Sequence, residues 1–311
     1  MKKISLIIFL LIGLSCHSQR ILESSDSLQK WRKNAVVIGT GITYAASVVG
    51  LQFAWYQDYQ NNKFRFFDDG NGWLQMDKIG HSATAYQAGK SLFDIYRWAG
   101  IKRKPALLWS ASASYSFQLT VEIMDGFSDG WGFSLYDLGF NSFGTGFFVG
   151  QELVWKEQRI EIKYSFTPSG LTNLDGFEGR RARNLYGNSI LEQWLKDYNG
   201  QTYWLSANIW SLVGKPEKFP KWVNLALGYS ANNMLGAESN SWTDPDDASS
   251  TLTSNKIRER QFLLSMDVDL NKMQLPKYLN WLKLYFSVVK IPFPALELNS
   301  EKGLRAHPFY F

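Results

Sequence analysis

Near residue 155 the spacing of the apolar side chains changes. Before that point they gather in long runs almost free of charge; after it they alternate with polar residues. Long runs of this kind build helices, and alternation builds strands with one wet and one dry face, so the chain must fold into two regions of different type. The expected class is α+β: residues 1–19 a signal, residues 20–155 a four-helix, membrane-associated unit, and residues 156–311 a β-rich antiparallel region.

The first segment reads as an export signal. Lys2 and Lys3 precede the apolar run Ile4 to Leu14, followed by Ser15, Cys16 and Ser18. That run is shorter than the roughly 20 residues a spanning helix needs, so removal is its expected fate. Cys16 is the single cysteine, which excludes an intramolecular disulfide and any multi-cysteine metal site. Its place at the end of the signal fits lipid attachment, although Gly13 stands where a lipobox carries leucine; Cys16-His17-Ser18 also fits plain cleavage after Ser18. Either route leads to the bacterial cell envelope facing the periplasm, with the outer membrane favoured over the inner.

The body behind it suits a membrane. Thirteen Trp, 15 Tyr and 21 Phe stand among only 20% charged residues, and such rings collect at membrane interfaces. Asn34 to Gln57 is uncharged for 24 residues and long enough to cross a hydrocarbon layer; its small residues Gly39, Gly41, Ala45, Ala46 and Ser47 suggest close packing on another helix. Three further helices are expected over 74–96, 105–124 and 134–154. The second carries Ser110, Ser112, Ser114 and Ser116, hydroxyls that bond a neighbouring helix or their own carbonyls. The third carries the pair Gly146 and Gly150, spaced for a close helix approach. The net charge of +5 is dispersed, and its one basic run, Gly179 to Arg183, reads as a solvated loop or a contact to anionic headgroups. Nucleic acid is therefore not an expected partner; membrane lipid and other envelope proteins are.

Candidate chemistry sits on the last three helices. Asp77 and His81 are four apart, Glu122 and Asp125 three, Asp137 and Asn141 four, so each pair shares a helix face. Ionisable groups in an apolar bundle persist when they face one another, a metal or a water-filled cavity. Capping explains some of them: Asp77 begins its helix, Asp125-Gly126 fits a helix end with Gly126 turning left-handed, and Ser134 to Asp137 fits a capping box. His81, Glu122 and Asn141 fall inside helices and need another account. His81, Glu122, Asp125 and Asp137 are the candidate catalytic or metal-binding groups. Asp77, Lys78, Ser134, Asn141 and Gly144 complete the polar cluster, and neither metal nor cofactor is named by any motif.

The stretch Met76-Asp77-Lys78-Ile79-Gly80-His81, then Glu122 to Gly126, then Gly130 to Gly144, resembles the YfiM-like predicted periplasmic lipoproteins, a family of unknown function. More distantly it resembles the VanZ-like membrane proteins. The resemblance spans about residues 73–150. It implies a lipoprotein and marks Asp77, Lys78, His81, Glu122, Asp125, Ser134, Asp137, Asn141 and Gly144; it implies no reaction.

In the second half, strands are expected over 159–166, 202–209, 223–230 and 260–270, with helices over 190–198 and 278–289. The chain closes on alternating residues ending in Phe311, as outer-membrane barrels commonly do, so an outer-membrane sheet or barrel is one expectation. Only five to seven strands can be counted where a bacterial barrel needs at least eight, and Pro308 belongs at a sheet edge. Two functions fit. One is a structural or assembly component of the envelope whose polar cluster holds its helices in register. The other is an enzyme on envelope lipid or glycan, with or without a metal, using His81 as base or ligand beside Glu122, Asp125 and Asp137.

Overall fold

The computed structural model describes residues 24–56 and 63–311. The signal and Cys16 lie outside those residues. Helices occupy the N-terminal half and a six-stranded antiparallel sheet the C-terminal half, an α+β arrangement. The chain divides into two compact units: residues up to 68, 84–158 and 274–285 make the first, and residues 69–83, 159–273 and 286–311 the second.

The first unit is built on α1 (Lys30–Leu51), most of α2 (Met76–Trp98), α3 (Arg103–Phe127) and α4 (Leu135–Val154). α1 is, among the described residues, the one helix long and apolar enough to cross a membrane, and at 22 residues it extends about 33 Å. Of its side chains only Val36 is buried, so it is no core helix. Trp31 meets Trp98 edge-on at 5.8 Å and Tyr44 meets Phe117 at 5.6 Å, ring contacts that tie it to α2 and α3. The close packing expected at Gly39 and Gly41 is not made: a side chain added at either would meet nothing within 4 Å. The same holds at Gly146 and Gly150 on α4.

α3 and α4 pack with their polar sides together. On α3 the buried positions recur every fourth residue, Ala106, Ser110, Ser114, Gln118, Glu122 and Gly126, a spacing that keeps one stripe facing inward. On α4 they are Asp137, Asn141, Gly144, Phe148, Gln151 and Glu152. Leu108, Trp109, Ile123 and Phe127 point outward from α3, and Leu135, Phe143, Leu153 and Val154 from α4. Two of the serines act as their chemistry suggests. Ser114 donates to the Ala85 carbonyl of α2 (2.8 Å) and Ser110 to Leu107 of its own helix (3.1 Å). Gly126 does not end α3 in a left-handed turn; the helix continues to Phe127, and the glycine makes room for the Phe64 ring.

The second unit holds β1 (Ile160–Phe166), β2 (Gln201–Asn208), β3 (Val223–Asn232), the small hairpin β4 (Ser241–Thr243) and β5 (Thr251–Thr253), then β6 (Glu259–Val268), β7 (Phe293–Asn299) and β8 (Gly303–Tyr310). The main sheet runs β1-β2-β3-β6-β7-β8, antiparallel throughout. Helices α5 (Gly176–Tyr186), α6 (Ile190–Lys196), α7 (Ile209–Leu212) and α8 (Trp281–Val288) lie between strands in the chain. The basic run Gly179 to Arg183 is thus helical rather than a loop. Arg181 donates to the Leu235 carbonyl and Arg183 to those of Thr172 and Leu174, which uses them locally.

The sheet curls until its two ends approach, the Thr167 hydroxyl donating to the Phe311 carbonyl (3.3 Å). It is nevertheless not a closed barrel. No ladder joins β1 to β8, and Val289 bridges to Tyr164 of β1 instead. Six strands are too few for a bacterial membrane barrel, whose circumference needs eight. Pro308 lies in β8, an edge strand, where a missing donor costs no ladder bond.

The curl turns most charged and amide side chains of the strands inward, around a small apolar cluster of Trp204, Ala226, Leu263 and Ala295. Lys163 of β1 pairs with Asp267 of β6 at 2.7 Å, both essentially without solvent exposure. Ser206 donates to Asp267 (2.6 Å), Gln261 to Glu297 (2.9 Å) and Asn299 to Glu259 (3.0 Å), all inside. Other apolar residues therefore stand outside in cross-strand rows. Leu205 faces Leu227, which faces Leu264, which faces Leu296; Leu225 faces Met266.

Candidate functional site

The residues singled out in the sequence are divided between the two units. Asp77, Lys78 and His81 belong to the second unit, Glu122, Asp125, Ser134, Asp137, Asn141 and Gly144 to the first.

In the second unit the centre begins with a strained turn. Trp73, Leu74 and Gln75 have φ of 51°, 49° and 64°, a left-handed run that side chains with a Cβ rarely adopt. It is held from outside. The Trp73 amide donates to the Ala237 carbonyl (2.7 Å), the Leu74 carbonyl accepts from the Tyr229 hydroxyl (2.5 Å) and Arg260 (3.0 Å), and Trp73 packs on Tyr198 at 5.4 Å. α2 starts at once after this turn, which sets the direction of its first residues.

Asp77 there accepts from the Tyr198 hydroxyl at 2.6 Å and from the Lys78 ammonium at 2.8 Å. Lys78 is almost wholly buried and also reaches Asp69 at 2.5 Å, so one cation sits between two carboxylates. Burial pushes the Asp77 carboxyl up, but the His81 and Lys78 charges and the hydrogen bonds from Lys78 and Tyr198 outweigh it and hold the group below the usual range. His81 Nε2 lies 3.9 Å from Asp77 Oδ1, and both side chains keep about a fifth of their surface in solvent. That pair could present one nitrogen and one oxygen to a metal or a substrate proton. Gly80 lets the Tyr203 hydroxyl come close: a Cβ there would lie 2.8 Å from it, so a larger residue would push that ring aside.

In the first unit the centre is closed. Glu122, Ser134 and Asn141 have no exposed surface. The Gln118 amide donates to Asn141 Oδ1 (2.9 Å), and the Asn141 amide and the Ser134 backbone N–H approach the Glu122 carboxylate at 3.5 and 3.4 Å. Ser134 Oγ accepts from the Asp137 backbone N–H (3.1 Å), the N-cap of α4, which occupies the hydroxyl. Gly144 lies on the same inner face of α4. Asp125, three residues beyond Glu122, accepts from the Tyr56 hydroxyl at 2.6 Å.

Tyr198, Asp69 and Gln118 complete these centres and escaped the reading of the sequence. Gln118 was open to it, one helical turn before Glu122 on the same stripe. Tyr198 was not, since it reaches Asp77 from 121 positions away.

Residues 65–150 match a family model described as predicted periplasmic lipoprotein (DUF2279), little more than a quarter of the chain. No curated protein and no solved structure matches the chain. The matched stretch takes in all nine of the residues singled out above, and the family's description carries a compartment but no reaction.

Proposed function

We propose that the chain is a membrane-associated component of the bacterial cell envelope with a structural or assembly role, and that its closed polar centre keeps α3 and α4 in register. The observation that carries this reading is the sidedness of those helices. They bury Gln118, Glu122 and Asn141 while exposing Leu108, Ile123, Leu135 and Leu153, the reverse of a helix packed in water. Helices in lipid gain nothing by hiding leucine and must pair their polar groups with one another, which Gln118, Asn141 and Glu122 do. α1, charge-free between Asn34 and Leu51, supports the same surroundings.

The test is the full chain purified in detergent, with Glu122→Ala and Asn141→Ala compared by thermal unfolding and by metal content. A structural centre predicts lower melting temperatures at unchanged metal content. Loss of a bound metal with no change in melting would overturn the reading.

The enzymatic alternative rests on a different observation, the partly exposed pair Asp77 and His81 held by Lys78 and Tyr198. It expects His81→Ala to fold and melt as the parent does while altering the envelope's lipid or glycan profile.

A further inference from the structure

The six-stranded sheet carries its charged side chains inside, around a small apolar cluster of Trp204, Ala226, Leu263 and Ala295, and a leucine-rich face outside. Leu227, Phe262, Leu296 and Leu298 each keep about half of their surface exposed, and Leu304 about three quarters. On the inner face of the same strands, Lys163, Asp267, Glu259 and Glu297 are almost wholly buried and answer one another by ion pairs and hydrogen bonds. A sheet in water does the opposite, because each exposed leucine forgoes the gain of burial and each buried charge must be desolvated. The inversion covers β2, β3, β6, β7 and β8 in register, so it is a property of the face and not of one patch.

The strands end in a second signal. Beyond the ends of β2 and β6 and just before β3 stands Trp210, with the ammoniums of Lys215, Lys221 and Lys272 each 5.4 to 5.5 Å from its ring centre. Asp269 shares the surroundings of Lys272. Trp222, beside Lys221, is itself partly exposed. An aromatic ring ringed by lysines at the rim of an apolar face is the chemistry of a bilayer interface, where rings lie at headgroup depth and cations meet phosphate.

We propose that the outer face of this sheet lies against the acyl chains of a bilayer, with Trp210 and its three lysines at the level of anionic headgroups. Lengths agree. β3 and β6 have ten residues each, about 33 Å of strand, which at a barrel-like tilt covers about 23 Å, close to the apolar band of membrane sheets. A second copy of the chain would need a matching apolar face of limited extent, whereas lipid accepts a convex face running over five strands. The inference stands on the sheet alone and does not require the reading of α3 and α4.

Leu227→Cys and Leu296→Cys in the full chain, each labelled with an environment-sensitive maleimide dye, test it in phosphatidylcholine vesicles containing a minority of phosphatidylglycerol. Labelling of the parent chain sets the background from Cys16, and Ser249→Cys, exposed between β4 and β5, is the aqueous control. Acyl-chain-brominated phosphatidylcholine should lower emission roughly two-fold at 227 and 296 and leave 249 unchanged. Dyes at 227 and 296 quenched by aqueous iodide as strongly as at 249 would overturn the proposal, since the face would then be in water. Resistance to both quenchers would also overturn it and would point to a protein covering the face. A chain held to vesicles by α1 alone would still sediment with them while failing the bromolipid test, which separates this inference from membrane association through α1. Lys221→Gln with Lys272→Gln should weaken vesicle binding only when phosphatidylglycerol is present; equal loss on pure phosphatidylcholine would remove the headgroup assignment.

Discussion

The helices α3 and α4 and the curled sheet are both inside out, and they solve the resulting problem differently. The helices satisfy their own backbones, so their interior can be lined by Ala106, Ser110, Ser114 and Gly126, with the carboxylates of Glu122, Asp137 and Glu152 among amides and hydroxyls. The sheet encloses a wider space. It fills that space with full charges, Lys163 against Asp267 and Glu297 against His307 and Gln261, bracketed by Asn208, Asn224 and Asn299. The difference is one of stakes: removing a member of a neutral-donor network costs a few hydrogen bonds, while removing half of a buried ion pair strands a charge.

That contrast sets the order of expected effects. Asp267→Ala leaves Lys163 buried with its closest anion gone and should destabilise the sheet by about 3–5 kcal/mol, read from denaturant unfolding in detergent. Glu122→Ala should cost less, about 1–3 kcal/mol, by leaving the Asn141 amide and the Ser134 N–H short of an acceptor. A larger loss at Glu122 than at Asp267 would break the comparison.

Asp77 gives a smaller, pH-dependent effect. Its folded carboxyl is held below the ordinary range, so the folded state binds that proton less readily than the unfolded chain does. The stabilisation is therefore complete above the ordinary carboxylate pKa and is lost as pH falls through the lowered folded value. Asp77→Asn should cost about 1 kcal/mol near neutrality and converge on the parent in acid, checked by melting temperature against pH. A constant gap at all pH values would show that the charge contributes nothing. Smallest of all, Leu227→Gln on the outer face should shift stability in detergent by no more than about 0.5 kcal/mol. A loss comparable to that at Asp267 would mean the face packs on protein.

Local features were legible in the sequence to the extent that local chemistry makes them. The helices over 76–98, 103–127 and 135–154 and the strands β1, β2, β3 and β6 lie close to where periodicity puts them, and Ser134 caps α4 as its spacing to Asp137 requires. Glycine spacing misled, because Gly39, Gly41, Gly146 and Gly150 permit a close approach without supplying a partner to make it. Gly126 misled likewise, since the same residue type serves a turn or a ring that needs room. The left-handed turn at Trp73 to Gln75 had no local signature at all: three residues that avoid such φ values are held there by Ala237, Tyr229 and Arg260 from far along the chain.

Two periodicities, the helical stripe through Ser110, Ser114, Gln118 and Glu122 and the alternation along β1, β3 and β6, are written in the order of residues and need nothing else. Alternation is symmetric, however. It divides a strand into a polar and an apolar face and is silent on which one closes inward. Only the curl of the sheet, bringing Lys163 onto Asp267 and Thr167 onto Phe311, decided that the charged face is the interior and the leucine face the exterior. The reason is that ion pairing and backbone closure join residues more than a hundred positions apart, and no spacing along the chain records them.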